Sequence, residues 1–340
     1  MTAATSTPSI VIMVATYNDW ESVKSIVPLL DKQLSGRYCQ VRVIVIDDGS
    51  TEFVDEGLFS DQTFTAISEV RVVTLRRNLG NQRAFAVGLG YLASEVDFDF
   101  LVLMDSDHED KPEYVPQLIE QAIREGNKVV FAERTQRSEG RRFQLFYAIY
   151  KALYAVLTGA PISYGNFCAL SSILVKRISS VSEIWNHFPA GIMKARVPYT
   201  SIPSERGTRK HGTSKMNLVN LAIHGLSGLA VHADVVSVRF TLGLVLFAAI
   251  AAAGIAAVVL KRILFDDFVL GWSSQAILAL LGIFSQLLIA AALVVFLVLA
   301  SRNQRNVIPA WDYKKFLLDV RPVYPVLAGG ELKPLGNRFP

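Results

Sequence analysis

The sequence predicts an α/β protein with a doubly wound, mostly parallel sheet, followed by an amphipathic interfacial helix and two transmembrane helices. Three observations predict it. Between Ile10 and Ala132, short apolar runs alternate with segments of helical spacing, the pattern of a parallel sheet covered by helices on both faces. Each apolar run stops at a polar cluster. The last third holds two long uncharged stretches, in a chain of 340 residues that is 51% hydrophobic, too apolar for an ordinary soluble enzyme.

Ile10 to Ala15 is the first strand, ending at Thr16-Tyr17-Asn18-Asp19. Asp19 to Leu34 places Val23, Ile26, Val27, Leu30 and Leu34 on one helical stripe, which Pro28 interrupts. Val41 to Ile46 is a second strand, ending at Asp47-Asp48-Gly49-Ser50. Arg71 to Leu75 is a third, leading through Asn78 and Gly80 to a helix over 81–94. Phe100 to Met104 is the fourth, and its helix runs from Pro112 to Glu125, with Pro112 at a favoured first-turn position. Val129 to Ala132 is the fifth, followed by Arg134 and Arg137. The strand ends thus collect one polar face.

The fourth strand ends at Asp105-Ser-Asp107-His-Glu109-Asp110, four carboxylates within six residues. In open α/β sheets ligands bind beyond the carboxyl ends of the strands. Like charges this close repel unless a cation lies among them, and oxygen ligands on a rigid strand end suit Mg²⁺ or Mn²⁺. Asp105, Asp107 and Glu109 are the expected metal ligands, and Asp110 is read as only the N-terminal charge of the next helix. There is no G-x-G-x-x-G after the first strand and no G-x-x-x-x-G-K-[ST] anywhere. Dinucleotide and P-loop readings lose their main support.

A basic, aromatic-rich helical stretch covers 140–157, and Tyr164-Gly-Asn-Phe167 forms a polar turn inside an apolar segment. Arg206 to Lys215 is a loop with four cations and two glycines among its residues, the kind that wraps anions. An interfacial amphipathic helix is expected over 217–238, with its histidines given no chemistry. Phe240 to Leu260 and Phe268 to Ser301 carry no charge and are long enough to cross a bilayer. Cations flank the pair on both outer sides, so both flanks are expected in the cytoplasm. Neither span has an ionisable residue in its middle, which argues against a channel or proton-coupled transporter. The expected organisation is a domain over 1–216, the juxtamembrane helix, a hairpin over 239–301 and a tail over 302–340 that is Pro-rich and packs on the domain or is partly disordered.

The two cysteines, Cys39 and Cys168, have no metal-ligand or disulfide spacing and read as thiols of a reducing compartment. Met1 to Ser9 lacks the basic and apolar regions of a signal peptide, so the first domain is expected on the cytoplasmic side of the inner (plasma) membrane. The net charge of +4 is modest. No nucleic-acid partner is expected, and a homo-oligomer is left open.

Five spacings coincide in order: Val-Ala-Thr16-Tyr17-Asn18, Val-Ile-Asp47-Asp48-Gly49-Ser50, Asn78-x-Gly80-x-x-x-Ala84, Met-Asp105-x-Asp107 and Arg134-x-x-Arg137. In this the chain resembles family 2 glycosyltransferases of the Rossmann-like GT-A fold. The later run Arg209-x-x-Gly212-x-Ser214-Lys215, followed by the interfacial helix and two spans, is similar to the polyprenyl-phosphate branch (the dolichol-phosphate mannose synthase and undecaprenyl-phosphate glucosyltransferase types).

The resemblance implies that Thr16, Tyr17 and Asn18, with one of Asp47 and Asp48, hold the base and ribose of a nucleotide diphosphate sugar. It implies that Asn78 and Gly80 lie against the nucleoside, and that Asp105 and Asp107 reach the ribose and an Mg²⁺ or Mn²⁺ ion. Glu109 stands where the branch commonly has Gln. The polyprenyl phosphate acceptor would be positioned by the cations Arg134, Arg137, Arg206, Arg209 and Lys215, and Ser214 of the same loop is a further expected binding residue. One departure bears on mechanism: at Ser163-Tyr164-Gly165-Asn166-Phe167 the branch has acids in the first and fourth places. A sugar hydroxyl needs a general base, whereas a phosphate is already an anion. The expected activity is therefore inverting, metal-dependent transfer to a polyprenyl phosphate. Transfer to a hydroxyl of a lipid-linked glycan or polysaccharide, and a non-catalytic nucleotide- or lipid-binding membrane protein, are the alternatives.

Overall fold

The computed structural model describes residues 7–52, 54–55, 57–134, 151–159, 164–210, 218–264, 272–302 and 306–325. Arg137, Ser163, Ser214, Lys215, most of the basic aromatic stretch and the end of the tail lie outside them. The chain divides into two compact units, the larger made of residues 1–144, 162–231 and 307–340.

The larger unit is built on one sheet. Its strands are β1 (Ile10–Thr16), β2 (Val41–Asp47), β3 (Ile67–Leu75), β4 (Phe100–Asp105), β5 (Val129–Arg134), β6 (Cys168–Ser171), β7 (Tyr199–Ser204) and β8 (Leu317–Tyr324). They are ordered β7-β5-β6-β4-β1-β2-β3-β8. β1 to β4 run parallel, so Thr16 pairs with Asp47 and Ala15 with Asp105, and their carboxyl ends finish level. Side chains of β1 alternate strictly. Val11 and Met13 enter one core with α2 (Asn81–Glu95), α4 (Ser172–Ser179) and α5 (Phe188–Lys194). Ile10, Ile12 and Val14 enter the other with α1 (Trp20–Leu34) and α3 (Val115–Glu125). A period of two with both faces buried is what a doubly wound sheet requires.

The expected class holds, with three strands added. β6 is antiparallel to both β4 and β5 and separates them. It is only four residues long and runs directly into α4, so no turn residue marks its end. β7 and β8 form the two edges, and each contains a proline, Pro203 and Pro322. Proline is tolerated at an edge, but it hides the strand from a pattern reading. β8 lies antiparallel to β3, so this part of the tail is a piece of the sheet. Helix α1 runs unbroken through Pro28, because Val23, Ile26, Val27, Leu30 and Leu34 are fully buried along its stripe. That packing outweighs the hydrogen bond the proline removes.

The return of the tail depends on Gly90. A Cβ there would lie 2.3 Å from the carbonyl oxygen of Pro309, at the start of the short helix Pro309–Asp312. Ala is normally better than Gly inside a helix by about 1 kcal/mol. Here the clash is with backbone, and overpacking typically costs about 1–3 kcal/mol. Gly90→Ala is therefore expected to lower the thermal midpoint. A higher midpoint would show that the tail can move aside freely.

The chain also carries α6 (Leu218–Val231), inside the stretch 217–238 expected as one juxtamembrane helix; residues 233–238 belong to the next helix instead. The second unit, residues 145–161 and 232–306, contains α7 (Ala233–Leu264) and α8 (Trp272–Arg302), packed against each other. Ala233–Lys261 and Ser274–Val298 both have a mean hydropathy of 2.6 and are long enough to cross a membrane. Their apolar side chains face outward, Leu246, Phe247, Leu293 and Phe296 among them.

Candidate active site

The buried run of β4 ends at Asp105, and the turn after it is held from three sides. Ser106 Oγ donates to the carbonyl of Ala15 on β1 (2.8 Å). His108, buried and in the left-handed region at φ 68°, places Nε2 2.6 Å from Ser25 Oγ on α1. Asp107 Oδ1 accepts from the backbone N–H of Glu109 (3.0 Å). Asp110 is not the solvated helix charge expected. It is buried, with Oδ2 accepting from the N–H of Asp105 (3.0 Å) and Oδ1 accepting from Arg134 Nη2 (3.2 Å). It closes the turn because an acid inside a fold must find donors.

Arg206, Gly207 and Arg209 of the basic loop lie on these acids. Asp110 and Arg206 form an antiparallel bridge, and Gly207 N–H donates to the carbonyl of Glu109 (2.8 Å). A Cβ on Gly207 would sit 2.0 Å from the carbonyl oxygen of His108, so only glycine allows this approach. Arg206 donates through Nε and Nη2 to Glu109 Oε2, at 3.0 and 2.7 Å. Arg209 Nη2 donates to Asp107 Oδ2 at 2.6 Å, with Nη1 3.8 Å from Asp19 Oδ2. Arg209 Nε is buried with no hydrogen-bond partner among the described residues. The sequence placed the acids and these arginines more than ninety residues apart and gave them different ligands. Here they are ion-paired.

The ends of β1, β2 and β3, where the sequence reading expects a nucleoside, are joined loop to loop. Thr16 is buried and Tyr17 half-buried. Asn18 N–H donates to Ser50 Oγ (2.8 Å), and Asn18 Oδ1 accepts from the N–H of Thr51 (2.8 Å), which locks the first loop to the second. Asp47 Oδ1 accepts from Ser50 N–H (2.9 Å). A Cβ on Gly49 would meet Asn78 N at 2.6 Å, so the second and third loops touch through backbone. Asp48 binds that third loop: Oδ1 accepts from Leu79 N–H (2.8 Å) and Oδ2 from Gly80 N–H (2.9 Å). Burial pushes its carboxyl up to about 6, against the pull of those two amides. Its geometry is that of a clamp on the loop bearing the exposed Asn78.

Gly80, at φ 88°, starts α2, and the first turn of that helix carries residues the sequence reading missed. Asn81 Nδ2 donates to Asp105 Oδ1 (2.9 Å). Gln82 Nε2 donates to Asn166 Oδ1 (3.0 Å), and its Oε1 accepts from the N–H of Phe188 (2.7 Å). A run of polar residues, 81–83, on a helix otherwise buried from Ala84 to Leu92 was the available signal. Burial foremost, then the charges of Asp110 and Asp107, push the Asp105 carboxyl up to about 7, while the Asn81 bond draws it down.

The donor set fits a hard divalent cation. Asp105 and Asp107 offer oxygen only, at a place where added negative charge is disfavoured. Among the described residues no group of three His, Cys, Asp or Glu side chains is placed to hold a metal ion, so the expected set of Asp105, Asp107 and Glu109 is not brought together; Glu109 pairs with Arg206 instead. An ion on Asp105 and Asp107 would therefore complete its shell with water and substrate oxygens, as Mg²⁺ does.

Residues 11–162 match the family model "Glycosyl transferase family 2". That match covers less than half of the chain. Every described acid of the β4 turn and both loops that Asp48 joins lie in the matched stretch, whereas Arg206 and Arg209 lie after it. Among similar proteins, the undecaprenyl-phosphate 4-deoxy-4-formamido-L-arabinose transferase of Edwardsiella ictaluri is 24% identical over 62% of this chain. The match spans 63% of that relative's own length, less than two thirds. The uncharacterized glycosyltransferase YkcC of Bacillus subtilis is 23% identical over 79% of this chain and 82% of its own. Glucosyl-3-phosphoglycerate synthase from Mycobacterium tuberculosis, solved with Mn²⁺, UDP-glucose and phosphoglyceric acid, superposes with a TM-score of 0.48 at 18% identity. That alignment covers 67% of this chain and 80% of the synthase.

Proposed function

We propose that the protein transfers a sugar, with inversion, from a nucleotide diphosphate sugar to the phosphate of a membrane polyprenyl phosphate. The observation that carries this reading is the pairing of Arg209 with Asp107 and of Arg206 with Glu109 at the carboxyl end of β4. This pairing brings the acids expected to hold a metal ion and the cations expected to hold a phosphate into one site, an arrangement in keeping with two phosphorylated substrates meeting there. The name of the Edwardsiella ictaluri relative and the two apolar helices are in keeping with a lipid acceptor.

In this reading the first three loops hold the nucleoside. Asp48 keeps the loop bearing Asn78 in place, and Asn18 keeps the loop bearing Asp47 in place. Asp105 and Asp107 would hold Mg²⁺ or Mn²⁺, which supplies charge neutralisation to a departing diphosphate. The incoming phosphate competes with Asp107 for Arg209, and the guanidinium fork suits phosphate as well as carboxylate. Arg206, with Lys215 from the next part of the loop, adds positive charge. A phosphate oxygen attacks the anomeric carbon; the bond from that carbon to the diphosphate breaks, and its electron pair leaves with the nucleotide. No proton needs removal, so no general base is required. The cations flanking α7 and α8 favour a cytoplasmic face for the reaction.

The test is incubation of the purified full-length protein with undecaprenyl phosphate, Mg²⁺ or Mn²⁺, and a panel of UDP- and GDP-sugars, followed by mass spectrometry. One donor is expected to add a single sugar mass to the lipid. Free nucleotide with unmodified lipid across the whole panel would contradict the acceptor.

A further inference from the structure

Asn166 lies between the two strands that carry the site. β6 pairs Cys168 with Leu103 of β4, and continuing that antiparallel register by two residues sets Asn166 opposite Asp105. On its other side, the N–H of Ala132 on β5 bonds the carbonyl of Phe167 (2.9 Å), which sets Asn166 beside Glu133 and Arg134. Its side chain is half-buried, and its polar end contacts Gln82.

The direction of that amide is forced. The Phe188 N–H at the start of α5 can only donate, so Gln82 must turn its carbonyl oxygen toward it (2.7 Å). The Gln82 amide nitrogen then faces Asn166 and can only donate, so Asn166 must answer with its own carbonyl oxygen (3.0 Å). What Asn166 turns away from Gln82 is therefore its NH₂ group. The chain of donors fixes an ambiguity that the shape of an amide leaves open.

We propose that Asn166 is a specificity-determining residue that presents N–H donors, not an acceptor, to a substrate oxygen bound beside Asp105. This rests on the reading of the site as one for glycosyl transfer. The oxygen belongs either to the acceptor phosphate or to a hydroxyl or ring oxygen of the donor sugar; both accept hydrogen bonds, and the phosphate is charged besides. A carboxylate in the same place would accept the same bond from Gln82 and would present a negative oxygen to the substrate instead. Gln82 is a positioning residue in this scheme: it sets which end of Asn166 faces the ligand.

Asn166→Asp is thus nearly isosteric and keeps the bond to Gln82, while reversing what faces the substrate. Gln82→Glu still accepts from Phe188 N–H but can no longer donate, so Asn166 must turn its NH₂ inward and its carbonyl outward. Wild type and both variants, as full-length protein in lipid nanodiscs, are titrated with the UDP- and GDP-sugar panel and, separately, with undecaprenyl phosphate. Asn166→Asp is expected to weaken one of the two by at least tenfold, with Gln82→Glu weakening the same one and both variants melting within a few degrees of wild type. Weaker undecaprenyl phosphate binding assigns the oxygen to the acceptor; weaker nucleotide-sugar binding assigns it to the donor. Binding of both ligands within twofold of wild type by Asn166→Asp overturns the proposal and leaves the function intact. A wild type that binds neither ligand overturns the function and this inference with it.

Discussion

Asp107→Ala is expected to lower the transfer rate by roughly a hundred- to a thousandfold, the scale seen when a group that stabilises a developing charge is removed. Among the described residues the carboxylate has two hydrogen-bond partners, the Glu109 N–H at 3.0 Å and Arg209 at 2.6 Å. Both bonds are only partly buried and lie outside the two cores, so the fold should survive their loss, and membrane insertion should be unchanged. The measurement is kcat at saturating Mg²⁺ or Mn²⁺ with both substrates, alongside a melting curve. Asp107→Asn separates charge from shape, since an amide keeps the bond to Glu109 N–H yet is a poor partner for a cation. Full activity in either variant would remove the acid from the mechanism. A large loss in melting temperature with activity retained would make it a structural acid only.

Arg209→Ala is expected to raise KM for the lipid phosphate on the order of ten- to a hundredfold, the range of a charge-assisted hydrogen bond pair, with KM for the nucleotide sugar little changed. The pairing adds a second expectation that the loop sequence alone did not contain. Arg209 neutralises Asp107, so its removal leaves Asp107 and Asp105 with less positive charge nearby. The variant should therefore reach half-maximal activity at a lower Mg²⁺ or Mn²⁺ concentration. An equal rise in both KM values would place the loop on the donor. An unchanged or higher metal requirement would show that Arg209 and the ion do not compete.

The common edge of the sheet was legible in the amino-acid sequence, and the reason is geometric. In a parallel sheet every strand delivers its carboxyl end to the same edge, so Thr16, Asp47 and Asp105 had to finish together once the alternation of strands and helices was read. Long-range pairing was less legible. Nothing in the spacing says that Gly207 packs on His108, because that contact is made by a glycine without a side chain against a carbonyl oxygen. Asp110 was misread for a related reason: an acid before a helix usually faces water, and only the approach of Arg134 from β5 and of the Asp105 amide buries it. Gln82 and Asn166 carry no charge and belong to no pattern of spacing; their meaning lies in which end of each amide faces which neighbour. β6 and β8 were hidden by brevity and by proline. Pairing with neighbours on the sheet overrides the weak local preference in both.

The acceptor's phosphate is the centre of the account, and one comparison tests it. Purified protein is given its nucleotide sugar and the divalent ion with either undecaprenyl phosphate or undecaprenol, the same chain ending in a hydroxyl. The account predicts one added sugar on undecaprenyl phosphate by mass spectrometry and none on undecaprenol, because the alcohol offers Arg206 and Arg209 no phosphate to take in place of Glu109 and Asp107, and a hydroxyl, unlike a phosphate, must lose a proton to attack. Equal glycosylation of the alcohol would contradict it.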